Sequence, residues 1–146
     1  MKQSLVVLCL TVAALGAAEK PVDVVNKGKD GVAVKGYDVV AYFEQSKPVR
    51  GSKEFQQQWQ GATWQFSSAV NRDRFAAAPE RYAPQFGGYC AWAVGHGYTA
   101  DTDPEAWKII DGKLYLNYNK SIQRKWEPEA SKWIPEGMRH WPALHK

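Results

Sequence analysis

The segment 107–118, WKIIDGKLYLNY, decides the fold class. Two runs rich in β-formers flank Asp111-Gly112, a pair that accepts the left-handed backbone of a two-residue type I′ turn. An antiparallel hairpin is therefore expected here. Upstream, FQQQWQGATWQFSS (55–68) has the same organisation. Phe55, Gln57 and Trp59 share one face of a strand, Trp64 and Phe66 alternate on its partner, and the reversal falls at Gln60-Gly61-Ala62.

Helical signals surround the hairpins. Ser67 or Ser68 suits the N-cap of a helix running to about Ala78, with Val70 and Phe75 inward. Pro79 ends it and starts a second short helix in PERYAPQF, and Gly87-Gly88 breaks the chain. YCAWAV (89–94) fits either type of element. In the final stretch, 121–146, Ile122, Trp126, Trp133, Ile134, Met138 and Trp141 recur at roughly helical spacing. Pro128 and Pro135 are expected to divide it into short helices. Near the start, Val32 and Val34 read as a short strand, and Tyr37-Asp38 opens a helical or extended segment. The expected fold is α+β: a small antiparallel sheet of hairpins packed with short helices, plus a helical C-terminal tail. The tryptophans are expected to serve mainly as packing volume.

Residues 1–18 have the three parts of a secretory signal: Lys2, the apolar run Leu5–Leu15 broken only by Thr11, and Gly16-Ala17-Ala18 before Glu19. The run is shorter than the ~20 residues that a membrane-spanning helix needs. The expectation is a signal peptide (1–18), a polar lead-in (19–30) and one domain with a C-terminal helical extension (31–146). The product would be periplasmic or secreted, with no membrane span after cleavage. The formal net charge is +4, but basic and acidic residues are interspersed. That pattern lacks the concentrated basic face that nucleic acid binding requires. No Ser-His-Asp order, zincin motif, P-loop or dinucleotide fingerprint occurs, so nothing points to an enzyme.

With Cys9 in the leader, Cys90 is the sole thiol of the mature chain. It is then buried and inert, paired to another molecule, or chemically used. Gly87-Gly88-Tyr89 allows Cys90 to sit at a helix N-terminus, where N–H groups favour thiolate. His96 lies between Gly95 and Gly97, where the chain can fold back. A Cys90/His96 pair suits Cu(I), or the imidazole activates the thiol. His140 and His145 read as solvated terminal residues. Asp103-Pro104-Glu105 reads as a turn, because the run lacks the rest of a calcium loop.

The stretch GATWQFSSAVNRDRFAAAPERY (61–82) resembles the YHS domain. That family's usual pattern runs from a strand ending in Tyr-Phe-Cys-Ser, through a second cysteine and a phenylalanine, to Asp-Pro-Glu-x-Tyr. Here Trp64-Gln65-Phe66 takes the strand, Ser68 the serine, Phe75 the aromatic and Pro79-Glu80-Arg81-Tyr82 the closing motif. The flanks GYDVVAYF and GGYCAWAV look like an exported bacterial branch, so the resemblance covers about residues 31–142. In metal-binding relatives, akin to the TRASH-type modules, the two cysteines are thiolate ligands. Their positions here hold Ser67 and Asn71, poor ligands for soft ions, which are expected to cap and turn the chain instead. The resemblance implies a binding module, and its expected ligand is copper or another transition metal; Cys90 and His96, read from the residues rather than from the family pattern, are the expected metal residues. The rival readings are a structural or interaction domain with a protein partner and no metal, and a thiol-dependent redox protein with a depressed thiol pKa.

Overall fold

The computed structural model describes residues 20–146, and the expected signal peptide lies outside them. The second hairpin forms as its turn chemistry dictates. Strand β3 (Asp103–Ile110) pairs antiparallel with β4 (Lys113–Asn117), and Ile110 faces Lys113. Asp111 and Gly112 have φ of +50° and +73°, the two left-handed residues of a type I′ turn. The first hairpin joins β1 (Ser52–Trp59) to β2 (Ala62–Phe66) through Gln60 and Gly61, again both left-handed.

The class is α+β, but the hairpins remain two separate two-stranded sheets rather than one. Burial explains the separation. Strand β4 is wedged between two cores: Leu114 and Leu116 enter one, and Tyr115 enters the other. The first core holds Val39, Val40, Tyr42, Trp64, Phe66, Phe75 and Tyr82. The second holds Phe86, Ala91, Val94, Trp126 and Ala130, with Trp92, Trp133 and Trp141 packed against it. Tryptophan does supply packing volume, with Trp64 and Trp126 fully buried.

The helices are α1 (Val39–Glu44), α2 (Ala69–Ala77), α3 (Pro79–Tyr82), α4 (Ala91–Gly95), α5 (Lys120–Trp126) and α6 (Ala130–Leu144). Ser68 caps α2, accepting the Asn71 N–H at 3.1 Å. Phe75 is buried, but Val70 is 59% exposed, contrary to expectation. Five residues turn a helix by about 140° beyond a full circle, so the two cannot share a face. Asn71, one turn before Phe75, takes the inward position and is itself buried.

Three further segments differ from the sequence reading. Val32 and Val34 form no strand; Val32 makes an isolated bridge to Thr63, and Val34–Gly36 is a 3-10 turn. The lead-in is structural: Val25 is buried in the first core, Asn26 N–H bonds Gly87 O at 2.8 Å, and Val22 bridges His145. Helix α6 runs unbroken through Pro135 and Pro142, and only Pro128, in the turn Glu127–Glu129, divides helices. Each interior proline forfeits one backbone bond, and packing of the Trp133, Ile134, Trp141 and Leu144 side holds the helix together. Close approach here depends on Gly137, where a Cβ would lie 2.7 Å from Phe86 Cζ. Among the described residues, no helix is long and apolar enough to cross a membrane.

Candidate functional site

Among the described residues, buried polar groups gather around Asp38 and around Cys90. The first occupies the positions where the resembled family has cysteines. Asp38, fully buried, caps α1 with Oδ1, which accepts N–H bonds from Val40 at 2.9 Å and Ala41 at 3.2 Å. Its Oδ2 accepts from Ser67 N–H at 2.8 Å, Ser67 Oγ–H at 2.7 Å and Asn71 Nδ2–H at 2.9 Å. Ser67 and Asn71 were expected to cap and turn the chain. Instead they reach across from the start of α2 and hold a carboxylate that would otherwise be stranded without water. All these donors point at oxygen, and the arrangement does not fit a soft metal ion.

The second centre is Cys90, the residue before α4 and only 1% exposed. Its N–H bonds Ala100 O at 2.9 Å, fixing the chain against the 96–102 loop. Its Sγ accepts the Tyr118 N–H at 3.2 Å and directs its own hydrogen toward Asn117 Oδ1, 3.6 Å away. Asn117 Oδ1 also accepts the Trp92 N–H at 3.0 Å. Asn117 follows Tyr115 by two residues in β4, so its side chain falls on the second-core face. Burial pushes the Cys90 thiol above its ordinary pKa of 9.0, outweighing the Ala93, Tyr118 and Trp92 N–H groups that pull it down. The helix-start position is as anticipated; the thiolate is not. The redox reading needs a depressed pKa, and the shift runs the other way.

The thiol forms the floor of an apolar chamber of about 240 Å³, walled by Trp92, Ala93, Tyr98, Ala100, Tyr118 and Ile122. Its outer walls are exposed rings, Tyr98 at 43% and Tyr118 at 57%. The other expected ligand is elsewhere. Cys90 and His96 flank opposite ends of α4, a rise of about 9 Å along the axis. His96 is exposed, with Nδ1 2.7 Å from Trp92 O and its ring stacked between Trp92 and Trp133 at 4.2 and 3.9 Å. Among the described residues, no group of three or more His, Cys, Asp or Glu side chains is placed to hold a metal ion. Cys90 therefore offers a single soft donor, short of the two-thiolate site of the metal-binding relatives.

His140 lies 3.8 Å from Glu136, and His145 packs its ring on Trp141 at 4.4 Å, so neither is the free terminal histidine expected. Asp103-Pro104-Glu105, expected as a turn, instead opens strand β3, where the register with β4 is irregular between Asp103 and Trp107 and Asp103 Oδ1 accepts the Glu105 N–H at 2.9 Å. Sequence reasoning missed Asp38, Asn117, Tyr98 and Tyr118. For Asp38 a signal existed: an N-cap acid in GYDVV beside polar replacements at both cysteine positions.

No curated protein and no solved structure matches the chain. The family model for the YHS domain matches residues 40–86, a span that contains Ser67 and Asn71 and stops short of Cys90. The Cys90 chamber is thus built from the segments that follow the matched span. Residues 40–86 of this chain are a YHS domain.

Proposed function

We propose that this protein is an exported binding module, acting in the periplasm or outside the cell, whose ligand seat is the Cys90 chamber. The observation that supports this reading is an apolar cavity of about 240 Å³ that has a buried thiol as its floor and exposed tyrosines as its walls. Cavities with such linings are the usual seats of small molecules. The neutral thiol acts there as a soft, polarisable contact rather than a nucleophile. Indole is a suitable probe. Millimolar indole should slow labelling of native Cys90 by a small methanethiosulfonate, and Ala100→Phe, which fills the chamber, should remove that protection. Labelling unchanged by indole in the parent protein would overturn the proposal.

Metal binding is the second reading, in keeping with the YHS domain's association with metals. The Tyr118 N–H directed at Sγ favours it, since that bond stabilises a thiolate. Cu(I) held there would need a second donor from outside the chain. Stoichiometric Cu(I) uptake lost in Cys90→Ala supports this reading, and equal uptake by the variant discards it. Export rests on residues 1–18. N-terminal sequencing of the mature protein should begin at Glu19, and a retained Met1 contradicts it.

A further inference from the structure

The apolar chamber does not end at Tyr118. The same side chain lines an adjoining polar cleft of about 360 Å³, together with Lys35, Asp101, Thr102 and Asp103. The charges of this cleft do not cancel. Lys35 Nζ is already committed, donating to Thr102 O at 2.7 Å and lying 3.2 Å from Asp101 Oδ2. Asp101 is likewise committed, its Oδ1 accepting from Asn26 Nδ2 at 3.0 Å and Thr102 N–H at 2.8 Å. Burial opposes its ionisation, but these donors and Lys35 outweigh it and hold the carboxyl below the ordinary carboxylate range. Asp103 is different. Among the described residues it has no ion pair, and its one hydrogen bond is the turn contact to Glu105. Lys120, two residues after Tyr118, lines a separate cleft beside Tyr42 and Trp107.

The aromatic rings point the same way. Among the described residues, the other tyrosines, phenylalanines and tryptophans each have a ring or an arginine as partner. Tyr98 and Tyr118 are the two that have neither, and both border the chamber. Tyr118 shares the polar cleft with the unpaired Asp103 carboxylate and the chamber with the unpaired Tyr98 ring, which makes a receptor for an organic cation: ring quadrupoles and charge attract the same ammonium.

We infer that the joined cleft binds a small organic cation, with an apolar or aromatic body in the chamber between Cys90 and Tyr98 and an ammonium head at Tyr118 and Asp103. This rests on the binding reading above and names its ligand class. The test is calorimetric titration of the mature protein with benzyltrimethylammonium, its neutral isostere neopentylbenzene, and benzenesulfonate. The cation should bind about tenfold more tightly than the isostere, the order expected of cation–π contact reinforced by charge. Asp103→Asn keeps the turn acceptor and removes only the charge, and should weaken the cation several-fold. Tyr118→Leu should do the same, while Tyr118→Phe, which keeps the ring, should bind as the parent does. Near-UV circular dichroism confirms that each variant is folded. Equal or tighter binding of the isostere, or no loss in Asp103→Asn and Tyr118→Leu, overturns the inference. If none of the three compounds binds while indole still protects Cys90, the ligand class fails and the seat stands. If indole fails as well, both readings fall.

Discussion

Asp38 is an acid that the chain keeps from water with five hydrogen bonds and, among the described residues, no ion pair. Asp38→Asn would turn an NH₂ toward a donor cluster built for oxygen. The variant should lose about 2–4 kcal/mol in urea unfolding, and a loss under 0.5 kcal/mol would show that the cradle is not structural. Little of this was legible beforehand, because Ser67 and Asn71 lie 29 and 33 positions away and the contact exists only once α1 meets α2. Cys90 is a clearer case of partial legibility. Its place at a helix start follows from Gly87-Gly88, but its protonation depends on how deeply the packed chain buries it, which no local pattern reveals. A thiol with a raised folded pKa contributes stability that is full below the unfolded value and declines as pH rises through the folded one. Relative to Cys90→Ala, the parent should therefore lose stability above pH 9.0. An unchanged difference between pH 7 and 10.5 in urea titrations would contradict the burial argument.

At the level of elements, the two hairpins were readable because a type I′ turn is written in adjacent residues: Asp111-Gly112, and Gln60-Gly61 within the anticipated reversal. The capping of α2 by Ser68 was readable for the same reason. Long-range packing was not. Helix α6 crosses two prolines because its apolar side is clamped onto α4 and Phe86, a gain that local propensity does not register. Val70 faces outward because helical geometry sets it far round α2 from the buried Phe75, and apolar character alone does not override that angle. The α6 seat is tight at Gly137. Gly137→Ala improves helix propensity, yet its Cβ meets the Phe86 ring, so the variant should be destabilised by about 1–2 kcal/mol. Stabilisation in thermal unfolding would mean that the ring yields freely.

Across the whole molecule, the YHS span 40–86 is not closed on itself. Its core takes Val25 from the N-terminal side and Leu114 and Leu116 from β4, while the opposite face of β4 supports the second core. A fragment covering 20–119, without α5 and α6, loses Trp126 and Ala130 and should show no cooperative thermal transition. A sharp transition from that fragment would make the second core dispensable. The chamber exists because α4, the 96–102 loop, the residue after β4 and α5 converge beyond the matched span. Its role as a ligand seat is tested most directly by following backbone amide resonances of the mature protein during titration with benzyltrimethylammonium. The expected result is saturable shifts at Cys90, Ala100, Asp103 and Tyr118, with Ser52 and Val70 unmoved. Shifts confined to other surfaces, or none at any of these four residues, would contradict it.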